Sequence, residues 1–102
     1  MNRLFWTGYC NLDRIFGITE VERIINYYGF IVDFKKFSDV AMSFTIELEE
    51  KKLSPLYANL TSLLKITEDA PTKSASTEER TVMLNVSFGH SKGNMKFEVP
   101  VG

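Results

Sequence analysis

The sequence predicts an α+β fold, a βαββαβ plait with an extra C-terminal β-strand, whose antiparallel sheet carries both helices on one face. Three observations predict it. Five stretches alternate apolar and polar residues with the two-residue period of a strand. Two stretches space apolar residues at the helical interval. The patterns follow one another in the order β-α-β-β-α-β-β.

Residues 3–9 read as the first strand, with Phe5 and Trp6 pointing to opposite faces. The first helix carries Val21, Ile24, Ile25 and Tyr28 on one side. Thr19 and Glu22 have the spacing of a capping box, and Gly29 stands where a left-handed C-terminal residue is wanted. Alternatively Asn11 or Asp13 caps an earlier turn, with Gly17 inside or just before the main helix. Residues 30–37 form the second strand, with Phe30, Val32 and Phe34 expected on one face. Ser38 and Asp39 turn the chain back. In the third strand, residues 41–49, Met42, Phe44, Ile46 and Leu48 alternate with Ser43, Thr45, Glu47 and Glu49.

Leu53, Leu56, Tyr57, Leu60, Leu63 and Leu64 make the stripe of the second helix, with Ser54 as its N-cap and Pro55 in its first turn. Residues 67–80 hold only two alanines and a proline as apolar content and read as a flexible, solvated loop. Val82, Leu84, Val86 and Phe88 then alternate through residues 81–88. The glycines of residues 89–94 suit a hairpin connection to a last strand at 95–99. Right-handed crossovers place the first and third strands centrally. With strands numbered along the chain, the expected order is 5-4-1-3-2. Asp33, Lys35 and Lys36 blunt one edge, and Pro100 ends the other.

The 102 residues suffice for one domain, 1–102. Twelve Lys and Arg against 13 Asp and Glu leave a net charge of -1, so no basic excess draws the chain to nucleic acid or to an anionic membrane. No apolar run is long enough for a bilayer, and the first ten residues lack the apolar core of a signal peptide. A single cysteine cannot form an internal disulfide, which points to a reducing, cytoplasmic setting. A single histidine argues against imidazole-rich metal sites, and no cofactor is expected.

Few residues carry the pattern of a chemical site. Cys10 is separated from His90, the only histidine and the only imidazole base, which reads as an exposed turn residue on a different strand pair. Glu47 and Glu49 share a strand face, but Lys51 and Lys52 follow, and a solvated strand end fits better than a cation site. Gly8 and Gly17 do not form a phosphate-binding loop.

The run from Asp13-Arg14-Ile15-Phe16-Gly17-Ile18-Thr19-Glu20-Val21 through Ile24-Ile25 to Tyr28-Gly29-Phe30-Ile31-Val32 resembles the first loop, helix and second strand of an ACT-like domain. ACT-like domains are small ferredoxin-like regulatory modules, many of which bind amino acids. Phe16 stands where such domains commonly carry proline, and the terminal extra strand is a second departure. The resemblance implies a ligand at the junction of the first loop and helix, with Asn11, Asp13 and Gly17 as the binding residues. Free N–H groups at the helix start would favour a carboxylate there, and Asp13 an ammonium group. The alternative, which the residues favour, is that Asn11 or Asp13 caps a turn and Gly17 permits a positive φ.

One sheet face is expected to lack helical cover and to display Phe5 or Trp6 with Ile31, Phe37 and Met83, enough apolar surface for a homodimer. The expected function is a non-enzymatic, dimerising module that senses a small molecule, amino acids among the candidates. The alternative is a structural protein-interaction module without a ligand. A small enzyme using Asp13 is a third reading.

Overall fold

The computed structural model describes residues 3–90, the side chain of His90 excepted. The chain runs β1 (Arg3–Asp13), α1 (Arg14–Tyr28), β2 (Phe30–Ser38), β3 (Ala41–Glu49), a 3-10 turn (Glu50–Lys52), α2 (Leu53–Leu60), β4 (Leu64–Ile66) and β5 (Glu79–His90). The expected strand at 95–99 and most of its hairpin connection lie outside the described residues. No helix among them is long and apolar enough to cross a membrane.

The α+β class and the single helix-covered face emerge as expected; the strand order does not. The five strands form one mixed sheet in the order β2-β3-β5-β1-β4. β5 lies between β3 and β1, antiparallel to the former and parallel to the latter. Two backbone hydrogen bonds direct this placement. Glu50 N–H donates to the Glu78 carbonyl at 2.8 Å and Lys51 N–H to that of Ser76 at 2.9 Å. The strand that follows is thereby delivered beside β3, with Glu79 opposite Glu49 and Arg80 opposite Leu48. The outer flank of β1 is taken by β4, where Leu64 to Ile66 pair with Cys10 to Gly8.

The segment 67–80 is accordingly strapped down along part of its length. The Ser74 hydroxyl donates to Glu50 Oε2 at 2.6 Å and Arg80 Nη1 to Glu50 Oε1 at 2.9 Å. These two donors, Ser74 foremost, hold the Glu50 carboxyl below its ordinary range. On the other side Glu68 Oε1 accepts from Thr7 N–H at 2.6 Å, and Thr67 N–H donates to the Thr7 carbonyl at 3.0 Å. A carboxylate thus takes up the ladder donor that the three-residue β4 leaves behind, and that hydrogen bond depresses the Glu68 pKa.

The core is built from one parity. Trp6 and Cys10 of β1, Met42, Phe44, Ile46 and Leu48 of β3, and Val82, Leu84, Val86 and Phe88 of β5 are buried. They pack with Val21, Ile24 and Ile25 of α1 and with Leu53, Leu56 and Leu60 of α2 in one cluster. Trp6 meets Tyr57 of α2 edge-on, with ring centroids 5.4 Å apart. Phe5 points the other way and is 58% exposed, against 3% for Trp6.

Three local expectations are revised. The capping box of Thr19 and Glu22 is not used: α1 starts at Arg14, and the Thr19 hydroxyl donates to the Ile15 carbonyl within the helix. Gly29 is extended (φ -162, ψ -152) rather than left-handed. α2 ends at Leu60 and Ser54 is not its cap, because the 3-10 turn feeds straight into Leu53. Leu63 and Leu64 continue the helical phase of the sequence, but the chain turns after Leu60 and gives Leu64 to β4.

The largest revision concerns β2. Ile31 pairs with Ile46 and Phe34 with Phe44, so three residues of β2 span what two of β3 span. This bulge at Val32 changes the parity of the strand. Ile31 turns inward against the core, whereas Phe30, opposite Glu47, faces the open side. Phe30, Val32 and Phe34 therefore do not share a face.

Candidate functional site

The three residues expected to hold a ligand stand in sequence around the β1–α1 junction, but each is engaged differently. Asp13 is the N-cap of α1. Its Oδ2 accepts from Ile15 N–H at 3.1 Å and Phe16 N–H at 3.3 Å, satisfying two of the orphan donors at the helix start. Two of the N–H groups that would greet a carboxylate are therefore already taken by Asp13.

Gly17 is buried on the core side of α1. A Cβ there would stand 2.6 Å from Cε1 of Phe88 and 3.0 Å from Sγ of Cys10. The residue lets the helix lie directly on β5 and β1, a close-packing role. Burial also pushes the Cys10 thiol up, against a smaller opposing effect of its hydrogen bond with the Leu12 backbone. An inward, protonated sulfur is a packing group.

Asn11 is the remaining member of the trio. It is exposed and lines a groove of about 510 Å³ together with Tyr9, Thr61, Leu63, Leu64 and Ile66. This groove lies between the end of β1 and the turn joining α2 to β4. The resemblance groups the three residues; the ladder to β5 shifts register between Cys10 and Asp13, within that group.

Replacing Asp13 with alanine removes the cap and should destabilise the fold by about 1 kcal/mol, within the range of about 0.5–2 typical of caps. Asp13→Asn, which keeps a capping oxygen, should lose only a fraction of that in a urea titration. A loss with Asn as large as with Ala would show that the charge, not the cap, is what matters.

Among the described residues no group of three or more His, Cys, Asp or Glu side chains is placed to hold a metal ion. His90 ends β5 in register with Asp13. The open sheet face mixes polar and apolar groups. Thr7, Asn85, Ser43 and Lys35 form one row across it, and Phe5, Met83, Thr45 and Asp33 the next.

Phe5 is exposed on that face as expected and Met83 lies beside it, whereas Ile31 turns inward, and the densest exposed apolar groups stand on β2. Phe30 is 73% and Phe37 67% exposed, with Val32 and Phe34 also open to solvent. β2 is an edge strand, so its outer backbone groups have no neighbouring strand among the described residues. Alternation alone hid this surface, because the bulges at Val32 and Phe37 leave no mark in side-chain chemistry.

No protein-family model, curated protein or solved structure matches this chain.

Proposed function

We propose that the chain is a non-enzymatic protein-interaction module that associates as a homodimer. The observation that carries the reading is the apolar edge: Phe30, Val32, Phe34 and Phe37 sit exposed on one strand at the rim of the sheet. Concentrated apolar surface of this kind on a small domain marks a site of association. The groups that could have served chemistry support the same reading, since the Asp13 carboxylate is spent on a helix cap and the Cys10 thiol is buried.

A second reading rests on the groove beside Asn11. Its volume suits a metabolite, and the ACT-like resemblance makes an amino acid the natural probe. Here Asn11 would bind, while Asp13 and Gly17 shape the bend that places it.

Two measurements separate the readings. Sedimentation equilibrium at tens of micromolar should return twice the protomer mass; a protomer mass throughout would overturn the first reading. A thermal-shift screen with millimolar amino acids tests the second. A ligand at about 100 times its Kd adds about 2.7 kcal/mol, and each kcal/mol moves Tm by about 4–8 °C in a domain of this size. No shift with any amino acid would remove the sensing reading and leave the interaction module standing.

A further inference from the structure

Resting on the association reading, we infer that the partner seated on β2 is a second copy of this chain. The two β2 strands pair antiparallel about a twofold axis at Phe34, and the two sheets join into one.

The charge pattern selects this register. Between the bulges at Val32 and Phe37 lies a regular stretch, Asp33 to Lys36, in unbroken pairing with β3. In a continuous sheet, residues directly opposite one another share a face, so a twofold axis normal to the sheet must fall on a residue. An axis at Asp33 would set two carboxylates against each other. One at Lys35 or Lys36 would oppose two ammonium groups. Like charges in that relation destabilise a strand pair.

Only the axis at Phe34 sets opposite signs together. Asp33 of each protomer then faces the partner's Lys35, twice by symmetry, and Phe34 meets the partner's Phe34. Asp33 and Lys35 are suited to this: they occupy the open face, opposite Thr45 and Ser43, and already approach within 3.8 Å in one protomer, both well exposed. Phe34 lies on the helix-bearing face with its ring 5.1 Å from that of the buried Phe44, which fixes where it points.

The area is compatible with a small, specific seam. Phe30, Phe34 and Phe37 together expose on the order of 300 Å² per protomer. A standard interface needs about 800 Å² per partner. The strand backbone and the aliphatic stems of Lys35 and Lys36 supply part of the remainder, which places the dimer toward the weaker end of that class.

Charge reversal at the seam gives the test, using the full chain. Asp33→Lys alone and Lys35→Asp alone should each weaken the homodimer roughly tenfold, because every cross-strand pair becomes like-charged. Both positions are exposed, so the fold should hold, with an unchanged far-ultraviolet CD spectrum as the check. Mixing the two variants should restore a dimer, now a heterodimer, since each positive strand meets a negative one. A wild-type dimer that both variants leave intact would overturn this seam while preserving the association reading. A wild-type protomer at every concentration would overturn that reading as well. If deleting residues 91–102 converts a monomer to a dimer, the chain's own C-terminal segment covers β2 in place of a second copy, and the inference falls.

Discussion

Phe44→Ala should destabilise the protein by about 3–5 kcal/mol, the cost of removing a fully buried phenylalanine and leaving a cavity. Phe44 is 0% exposed at the middle of β3. It is opposite Leu84 of β5 on one side and Phe34 of β2 on the other. The neighbours that would have to close over the void are strand residues fixed by two ladders, so little relaxation is open to them. Domains of this size hold about 5–15 kcal/mol in all, and at about 4–8 °C per kcal/mol Tm should fall by more than about 12 °C. Phe34→Ala removes a partly exposed ring and should cost less than half as much. A urea titration of both variants checks the ranking. Equal losses would mean that Phe44 is not the keystone of the β2–β3–β5 layer. Because Phe34 rests on Phe44, the variant should also weaken self-association in sedimentation at temperatures where it remains folded.

Gly29→Ala is expected to cost about 1–3 kcal/mol, the range for inserting a methyl group into a packed position. The sign is informative, because replacing glycine where alanine can adopt the backbone normally stabilises by about 0.4–1 kcal/mol. Gly29 is extended, and an alanine could take that conformation without strain. The obstacle is steric: a Cβ would lie 2.6 Å from the Glu47 carbonyl oxygen and 2.7 Å from Cβ of Leu48. Neither atom can rotate aside, so the junction of α1 and β2 would have to shift away from β3. Gly89→Ala is the control. Its Cβ would collide with the ring end of Tyr9, an exposed side chain free to swing away, and the change should be near neutral. Comparable losses at the two glycines in chemical denaturation would refute the steric account.

Much of this architecture is legible in the residues. The parity of β1, β3 and β5 follows from alternation alone, and Trp6 and Phe5 divide as a strand requires. The sequence offers Asp13 as a cap, and the structure makes it one. What is not legible is carried by the main chain or by distant partners. The placement of β5 depends on the carbonyls of Ser76 and Glu78 meeting Lys51 and Glu50, in a segment whose side chains say only that it is polar. The bulges of β2 are register shifts, and a shift of one residue reverses every expected face beyond it. The role of Gly17 is set by Phe88, far along the chain, and no local motif announces it.

The insertion of β5 between β3 and β1 also fixes an order of events during synthesis. Neither β3 nor β1 is hydrogen-bonded to the other, so the β2–β3 hairpin and the β1–β4 pair remain separate fragments until residues 79–90 have emerged. A ribosome-bound chain halted before that point has no continuous sheet to complete, and its tryptophan lacks the neighbouring strand that would shield it. Closure through the middle by a late segment is a long-range event, and such topologies nucleate slowly.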